Sequence, residues 1–180
     1  MVLAFLVEKE RENNGKDAEA SMAAVDSQSV KKGSFVSLDT GIDGGKWVNG
    51  RKRHIAVDVS GLPLAIHVTA ANVHDGQAGF ELLWRLDLAS KRLQLIRADH
   101  AYQGDFVDAA GFFKWVVEIT QKPESAKGFI PQKGRWQVER SFAWLNFFRR
   151  LAKDYEKTTE SSAAFVQMAF IDLILSKLQI

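Results

Sequence analysis

The stretch HIAVDVSGLPLAIHVTAA, residues 54–71, decides the fold. In each half of it, apolar residues alternate with others, a period of two that is typical of β-strands. The alternating positions are Ile55, Val57 and Val59, and then Leu64, Ile66 and Val68. Between them, the glycine and proline of residues 60–63 favour a turn. The pattern therefore predicts a β-hairpin.

Further elements extend outward from this hairpin. A short apolar stretch, MAAVDSQSV, predicts an earlier strand over residues 22–30, separated from the hairpin by a loop rich in turn-forming residues. The patterns that follow predict a helix from Asp75, a strand over 93–99, a helix over 104–113, a strand over 114–120, a loop over 121–134, a helix around Glu139 and a helix from about Ser161. This order predicts an α/β fold, a mixed five-stranded sheet flanked by helices.

Length and composition are those of one globular domain. The chain has 180 residues, of which 46% are hydrophobic and 26% charged, and its net charge is only +2. It contains no cysteine, which excludes disulfides and thiolate metal sites. After the apolar start, residues 8–20 are polar and predict a loose segment or a frayed helix. We therefore predict a polar N-terminal segment over residues 1–20 and a single domain over residues 21–180.

Two apolar runs are long enough to be compared with a signal peptide or a membrane-spanning helix. The opening MVLAFLV is short and lacks a basic segment before it, so it does not predict a signal peptide. The run AAFVQMAFIDLIL, residues 163–175, is interrupted by Gln167 and Asp172 and is too short to span a bilayer. We interpret it as a buried terminal helix, and we expect no membrane partner.

Three acidic residues occupy informative places. Asp26 and Asp99 each follow an apolar strand segment, and Glu139 borders the helical stripe of Val138, Phe142 and Leu145. If the two strands are adjacent and parallel, Asp26 and Asp99 meet at one edge of the sheet. Grouped carboxylates repel one another unless a cation such as Mg²⁺ lies between them.

Each acid also has a simpler interpretation. Asp26 and Asp99 are acceptable turn or cap residues, and Glu139 is placed to pair with Arg135 one helical turn earlier. Asp58, in the hairpin, is a fourth acid, which we interpret as solvated. The four histidines lack the spacing of a metal site.

Basic residues form two clusters on this nearly neutral chain. Residues 46–54, KWVNGRKRH, contain four basic residues and no acid, and residues 135–153 contain five basic residues with Glu139 as the only acid. Such clusters favour a surface that binds a polyanion, although solvated surface charge is an equally good interpretation.

Four blocks of the sequence resemble the catalytic region of DDE transposases of bacterial insertion sequences, the insertion-sequence-five group. The resemblance covers residues 24–155 and rests on VDSQSVK, GRKRHIAVDVSGLPLAIHVTAANVHD, LIRADHAYQG and RWQVERSFAWLNFFRRLAKDYE, in this order. It implies a ribonuclease H-like fold over residues 21–180 and a metal-dependent enzyme that cleaves DNA strands at the ends of an insertion sequence and transfers them.

The resemblance also assigns roles to residues. Asp26, Asp99 and Glu139 match the family's catalytic and metal-binding acids, which implies two Mg²⁺ or Mn²⁺ ions. The basic residues expected to contact DNA phosphates are Arg51, Lys52, Arg53, Arg135, Arg149, Arg150 and Lys153. Trp136 and Trp144 are candidates to stack on bases, although core packing is the preferred interpretation.

Several expectations concern the cell and the partners. The implied partners are transposon-end and target DNA, a second copy of the chain, or the product of an upstream reading frame. The family resemblance implies a bacterial cytoplasmic protein associated with the nucleoid. Relatives carry about a hundred more residues before the first aspartate, so two alternatives stay open: an inactive remnant that binds DNA or inhibits intact transposase, and a structure-specific nuclease on the same fold.

Overall fold

A mixed sheet runs through the computed structural model, which describes residues 2–120 and 135–178. The helices and strands of this part of the chain are α1 (Val2–Asn13), β1 (Met22–Lys31), β2 (Gly41–Asp43), β3 (Val48–Val57), β4 (Pro63–Ala70), α2 (Asp75–Ala89), β5 (Leu95–Asp99), α3 (Asp105–Phe112), β6 (Val116–Thr120), α4 (Trp136–Leu145) and α5 (Thr159–Leu178). Two short 3₁₀ turns cover His100–Tyr102 and Arg149–Leu151. The loop predicted over residues 121–134 lies outside the described residues.

The strands lie side by side in the order β4, β3, β1, β5, β6, and the short β2 pairs with the beginning of β3. The β1–β3 and β3–β4 pairs are antiparallel, whereas β1–β5 and β5–β6 are parallel. The predicted hairpin is therefore β3 and β4, and helical crossovers join the parallel strands. This topology confirms the predicted ribonuclease H-like class, with β2 as a sixth strand inside the segment predicted to be a loop.

The side chains of the strands alternate between two hydrophobic clusters, one on each face of the sheet. Ala24 and Ile55 lie on the face covered by α1, α4 and α5. Ala23, Val25 and Ala56 lie on the opposite face, which α2 and α3 cover. The strand β3 is paired along both edges and covered on both faces, so its residues from Gly50 to Val57 are all buried. This position explains several differences from the sequence-based expectations.

Helix α1 packs into the same core, although the sequence predicts a loose segment or a frayed helix from residue 8 onward. Its Leu3, Leu6 and Val7 are buried in the cluster that contains α5. Arg11, also buried, pairs with Asp58 at the end of the hairpin strand. Of the two alternatives predicted for residues 8–20, the structure shows a helix as far as Asn13, while the domain boundary predicted after residue 20 stays a prediction.

Asp58 is a structural residue of the hairpin turn. It is fully buried, and one carboxylate oxygen accepts hydrogen bonds from the backbone N–H groups of Ser60 and Leu62. Its second oxygen accepts from Arg11. The prediction of a solvated Asp58 is therefore wrong, because the turn and α1 close over it.

Helix α5 is longer than the apolar run that predicts it. By length and composition alone it is long enough and apolar enough to cross a membrane. However, its Val166, Phe170 and Ile174 are buried in the core, and the helix packs against α1 and β4. One face of the predicted terminal helix is therefore part of the core, although only 28% of its apolar window is buried in the structure.

Candidate active site

Asp26 and Asp99 lie level with each other on neighbouring parallel strands. The β1–β5 pairing places Met22 opposite Leu95 and Ala24 opposite Arg97. Two residues further along each strand, the same register places Asp26 beside Asp99. The carboxyl ends of parallel strands are where open α/β sheets place their sites. The predicted juxtaposition of these two acids is confirmed.

The guanidinium of Arg135 lies between the two carboxylates. Its Nη2 atom is 2.7 Å from Oδ2 of Asp26 and 3.8 Å from Oδ2 of Asp99. Arg135 is the residue immediately before α4, and it is largely buried. The sequence predicts that Arg135 contacts DNA, whereas here its guanidinium faces the acids. The single positive charge of Arg135 therefore faces the negative charges of both aspartates.

Each aspartate is oriented by its own backbone environment. Oδ1 of Asp26 accepts a hydrogen bond from the N–H of Ser27 at 2.7 Å. Oδ1 of Asp99 accepts from the N–H of Ala101 at 3.0 Å and so caps the following 3₁₀ turn. In both residues this leaves the Oδ2 atom directed at Arg135. The two carboxylates thus present one oxygen each to a common point.

The electrostatic balance at this point is incomplete. Burial raises the pKa of the Asp26 carboxyl above its ordinary value, and the negative charge of Asp99 raises it further. Arg135 and the N–H of Ser27 lower the same pKa without fully compensating. One guanidinium therefore faces two carboxylates, and a divalent cation at this place would complete the balance of charge.

Glu139 lies one helical turn beyond Arg135. The predicted stripe of α4 is confirmed, because Val138, Phe142 and Leu145 are all buried. Glu139 is half-buried at the border of that stripe, and its N–H donates to the carbonyl of Arg135. The structure therefore brings Asp26 and Asp99 together and places Glu139 on the adjacent helix.

The three acids do not form a closed group in this structure. Within residues 2–120 and 135–178, no cluster of three histidine or acidic side chains is close enough to hold a metal ion. The two aspartates nevertheless fit a hard divalent cation, since they offer oxygen atoms only and already receive a positive group between them. The metal-binding role of the three acids stays a prediction.

Tyr102 is a neighbour of the site that the sequence does not predict. Its side chain is fully buried, and in the described part of the chain its hydroxyl has no hydrogen-bond partner. Burial and the charges of Asp75, Asp26 and Asp99 raise its pKa well above the ordinary value, so the hydroxyl keeps its proton. Its place three residues after Asp99 is the only signal in the sequence.

The first basic cluster is structural. Arg51 is fully buried, and its guanidinium donates to Asp154 and to carbonyl groups of two loops. Lys52 donates to Asp75 and to the carbonyl of Val73. Arg53 is also buried; it donates to a carbonyl, and burial lowers its pKa to about 10. This burial argues against the predicted contacts of all three residues with DNA phosphates.

The second basic cluster lies on the surface. Arg149, Arg150 and Lys153 are exposed, and Arg150 pairs with Glu156 while covering the ring of Tyr155. Exposed cations are available to a polyanion, as the sequence predicts. Their contact with DNA stays a prediction.

Comparison with known proteins identifies the family of the chain. A family model described as a transposase DDE domain matches residues 17–171. The chain is 31% identical over 129 residues to a putative transposase for insertion sequence element IS402 of Burkholderia cepacia, a match covering 66% of this chain and 60% of that protein. It is 32% identical over 126 residues to the corresponding protein for IS6501 of Brucella ovis, covering 66% of this chain and 92% of that protein.

Solved structures with a related arrangement include two Mos1 complexes. The Mos1 mariner paired end complex with Mn matches 96% of this chain and 57% of its own, with 12% identity and a TM-score of 0.45. The Mos1 strand transfer complex matches 95% and 58%, with 15% identity and a TM-score of 0.46. The chain spans about 60% of the length of the Burkholderia relative. Because the family model covers most of its length, the chain belongs to the transposase DDE domain family.

Proposed function

We propose that the chain is the catalytic domain of an insertion-sequence transposase, which cleaves DNA strands at the ends of the element and joins them to target DNA. The observation that carries the proposal is the pair of level carboxylates, Asp26 and Asp99, that share the cation of Arg135 at 2.7 Å and 3.8 Å. The relatives are described as putative transposases, which supports this substrate class.

Asp26 and Asp99, completed by Glu139, are the residues that would hold divalent metal, which we propose to be two Mg²⁺ or Mn²⁺ ions. When bound, such ions stabilise the charge on the attacking and leaving oxygens of a phosphodiester. The site offers only carboxylate oxygens, the ligands that these hard cations prefer.

The protein's own groups orient the donors. The N–H groups of Ser27 and Ala101 each fix one oxygen of a catalytic aspartate, which directs the other oxygen toward the reaction centre. Arg135 keeps the two acids from repelling each other before substrate arrives. Preorganised donors of this kind account for much of catalysis in phosphoryl transfer, where little covalent work falls to the protein.

The proposed reaction has two steps that exchange bonds at phosphorus. In the first, a water oxygen replaces the 3′ oxygen at the element's end, so one P–O bond forms, another breaks, and a 3′ hydroxyl is released. In the second, that hydroxyl attacks a phosphodiester of the target and displaces its 3′ oxygen. Because one phosphodiester replaces another, the second step requires no external energy donor.

A strand-nicking assay on a labelled duplex that carries the element's end tests this proposal. With Mg²⁺ or Mn²⁺ present, we expect nicking by the wild type and by Asp108→Asn, which removes an exposed acid on α3. We expect Asp99→Asn to lose the activity. Equal nicking by the wild type and Asp99→Asn would contradict the assigned role.

One observation favours a second candidate, a non-catalytic chain that binds DNA or inhibits an intact transposase. In the described residues the three acids are not grouped closely enough to hold a metal. A wild type that binds end DNA without nicking it, with either metal, would support this alternative over the first. The proposed partners, end DNA, target DNA and a second copy of the chain, are the same in both cases.

A further inference from the structure

The first turn of α2 packs directly against the 3₁₀ turn at residues 100–102. A Cβ added at Gly76 would lie 3.2 Å from the carbonyl oxygen of Ala101, closer than the usual carbon–oxygen contact of about 3.3–3.6 Å. Since this neighbour is a backbone atom, it is unable to avoid a larger residue by changing its rotamer. A side chain at position 76 would therefore displace Ala101.

Ala101 is also the residue that orients the carboxylate of Asp99. Its N–H donates to Oδ1 of Asp99 at 3.0 Å, while its carbonyl oxygen faces Gly76. One residue thus contacts a proposed catalytic aspartate through its N–H and α2 through its carbonyl. A displacement of Ala101 would change the position of the Asp99 carboxylate.

A second glycine of α2 extends this close contact. Gly79 lies one helical turn after Gly76, and a Cβ added there would lie 3.2 Å from the ring of Tyr102. That ring is fully buried and packs edge-on against the ring of Phe106, with 5.1 Å between the ring centroids. The 3₁₀ turn therefore rests on α2 through a side chain as well as through its backbone.

Helix α2 is anchored to the sheet at this same end. Nζ of Lys52, on β3, donates to Oδ1 of Asp75 at 2.9 Å and to the carbonyl of Val73 at 2.8 Å. The N–H of Gly76 donates to Nδ1 of His74, the residue that caps the helix, at 3.2 Å. Because its first turn is held by these bonds, α2 is a fixed support for the 3₁₀ turn.

We propose that Gly76 is a positioning residue of the catalytic centre. Because it has no side chain, the first turn of α2 supports Ala101 in the place from which the Ala101 N–H orients Asp99. This inference rests on the proposed function and adds to it a residue outside the three acids. It also gives a role to the buried Lys52, which anchors the supporting helix.

The first test measures Mn²⁺ binding to the full chain without DNA, from the electron paramagnetic resonance signal of free Mn²⁺. We expect the dissociation constant to rise by about tenfold in Gly76→Val, the lower end of the effect of residues that orient metal ligands. Valine is branched at Cβ and stiff, so its side chain has little freedom to rotate away from Ala101. A smaller rise is expected in Gly76→Ala.

Gly111→Ala and Gly111→Val are the matched controls. Gly111 lies on α3, and no atom of the described residues lies within 4 Å of its Cβ position. Both controls leave the dissociation constant unchanged. Alanine is a better helix former than glycine, so the alanine variants keep the fold, and Gly76→Ala decides the question if Gly76→Val does not fold.

The second test follows hydrogen exchange of the Ala101 N–H by NMR in EDTA, so it requires no metal. Gly76→Ala weakens the hydrogen bond to Asp99, and we expect this N–H to exchange faster than in the wild type and in Gly111→Ala. The N–H of Ile96, on a strand that is paired along both edges, reports any change in global stability. A faster exchange at Ala101 than this change explains is the signature of the positioning role.

The outcomes separate the two proposals. Equal Mn²⁺ affinity in the wild type and in both Gly76 variants overturns the positioning role and leaves the proposed function standing. The same conclusion follows if the Gly111 variants lose as much affinity, or if exchange at Ala101 is unchanged in Gly76→Ala. A wild type that binds no Mn²⁺ overturns the proposed metal site together with this inference.

Discussion

Two arginine–carboxylate pairs of this molecule have the same chemistry and opposite surroundings. Arg51 and Asp154 lie 3.1 Å apart, with side chains at most 1% exposed, and the second oxygen of Asp154 accepts from Ser162. Arg135 and Asp26 lie 2.7 Å apart with side chains that are 9% and 18% exposed, and Arg135 is shared with Asp99.

The difference separates a closed pair, Arg51 with Asp154, from an open pair, Arg135 with Asp26. Around Arg51, the N–H groups of the guanidinium are used by Asp154 and by loop carbonyls, so the pair closes the structure around itself. Around Asp26, one positive charge faces two negative charges and solvent has access. In such an open arrangement, with one positive charge for two negative charges, a metal cation is able to take the place of the Arg135 guanidinium.

The largest expected effect is on the closed pair. Arg51→Met leaves the Asp154 carboxylate buried without its partner, and breaking a buried pair from one side costs about 3–5 kcal/mol. Urea unfolding followed by circular dichroism measures this loss. Lys31→Met, which removes an exposed charge at the end of β1, is the matched control and changes little. A loss for Arg51→Met as small as that of the control would contradict the structural role.

The open pair is expected to respond to divalent metal. A ligand at a hundred times its dissociation constant stabilises the native state by about 2.7 kcal/mol. For a domain of this size this corresponds to a rise in Tm of about 5–10 °C. Thermal scans with Mg²⁺ or Mn²⁺ against EDTA measure it. We expect the shift in the wild type and in Asp108→Asn and not in Asp26→Asn, and a full shift in Asp26→Asn would exclude Asp26 as a ligand.

Neutralising the acid is expected to change stability in opposite directions at the two pairs. Burial raises the pKa of the Asp26 carboxyl in the native state. As the pH rises, this carboxyl therefore ionises in the unfolded chain before it ionises in the native state. The native state loses stability over this range, until the pH passes the pKa of the folded protein. In EDTA at neutral pH, Asp26→Asn therefore raises Tm, and the gain disappears toward pH 4.

Asp154→Asn lowers Tm under the same conditions, because it leaves Arg51 buried without its counter-ion. Scans of both variants and the wild type at a series of pH values measure the comparison. The same sign for both substitutions at neutral pH would remove the distinction between the closed and the open pair.

The smallest expected effect concerns an exposed ion pair that belongs to neither the closed nor the open pair. Glu81 and Arg85 lie 2.8 Å apart on α2 with side chains more than 40% exposed. Solvent screens such a pair, so Glu81→Gln changes the free energy of unfolding by less than about 0.5 kcal/mol. Urea unfolding sets this baseline for the other variants, and a loss above 1 kcal/mol would show that exposure alone does not separate weak pairs from strong ones.

The sequence predicts the strands other than β2, and most helices, because their apolar residues repeat with the period of the element. It also predicts that Asp26 and Asp99 meet if their two strands are adjacent and parallel, and the structure supplies that pairing. The position of Arg135 between them depends on how α4 docks on the sheet. Such docking is a long-range property that no local pattern contains.

Sequence patterns do not predict which charged residues are buried. KWVNGRKRH has the composition of a surface cluster, yet β3 lies inside the sheet with both faces covered. The partner of Arg51 is Asp154, 103 residues further along the chain. Arg11 and Asp58 are likewise distant in sequence, so their pairing and the folding of α1 onto the core have no local signal.

Asp26 lies in the middle of a ten-residue strand, which β3 pairs with before and after the acid and β5 pairs with before it. Its Cα position is therefore as rigid as the sheet itself. Glu139 belongs to a helix attached to that sheet through side chains and a turn. Any adjustment of the distance between the first and third acids must then come from tilting α4. If the chain binds DNA as proposed, a strand that contacts the outer side of this helix would change the spacing of the acids, which would link substrate contact to completion of the site.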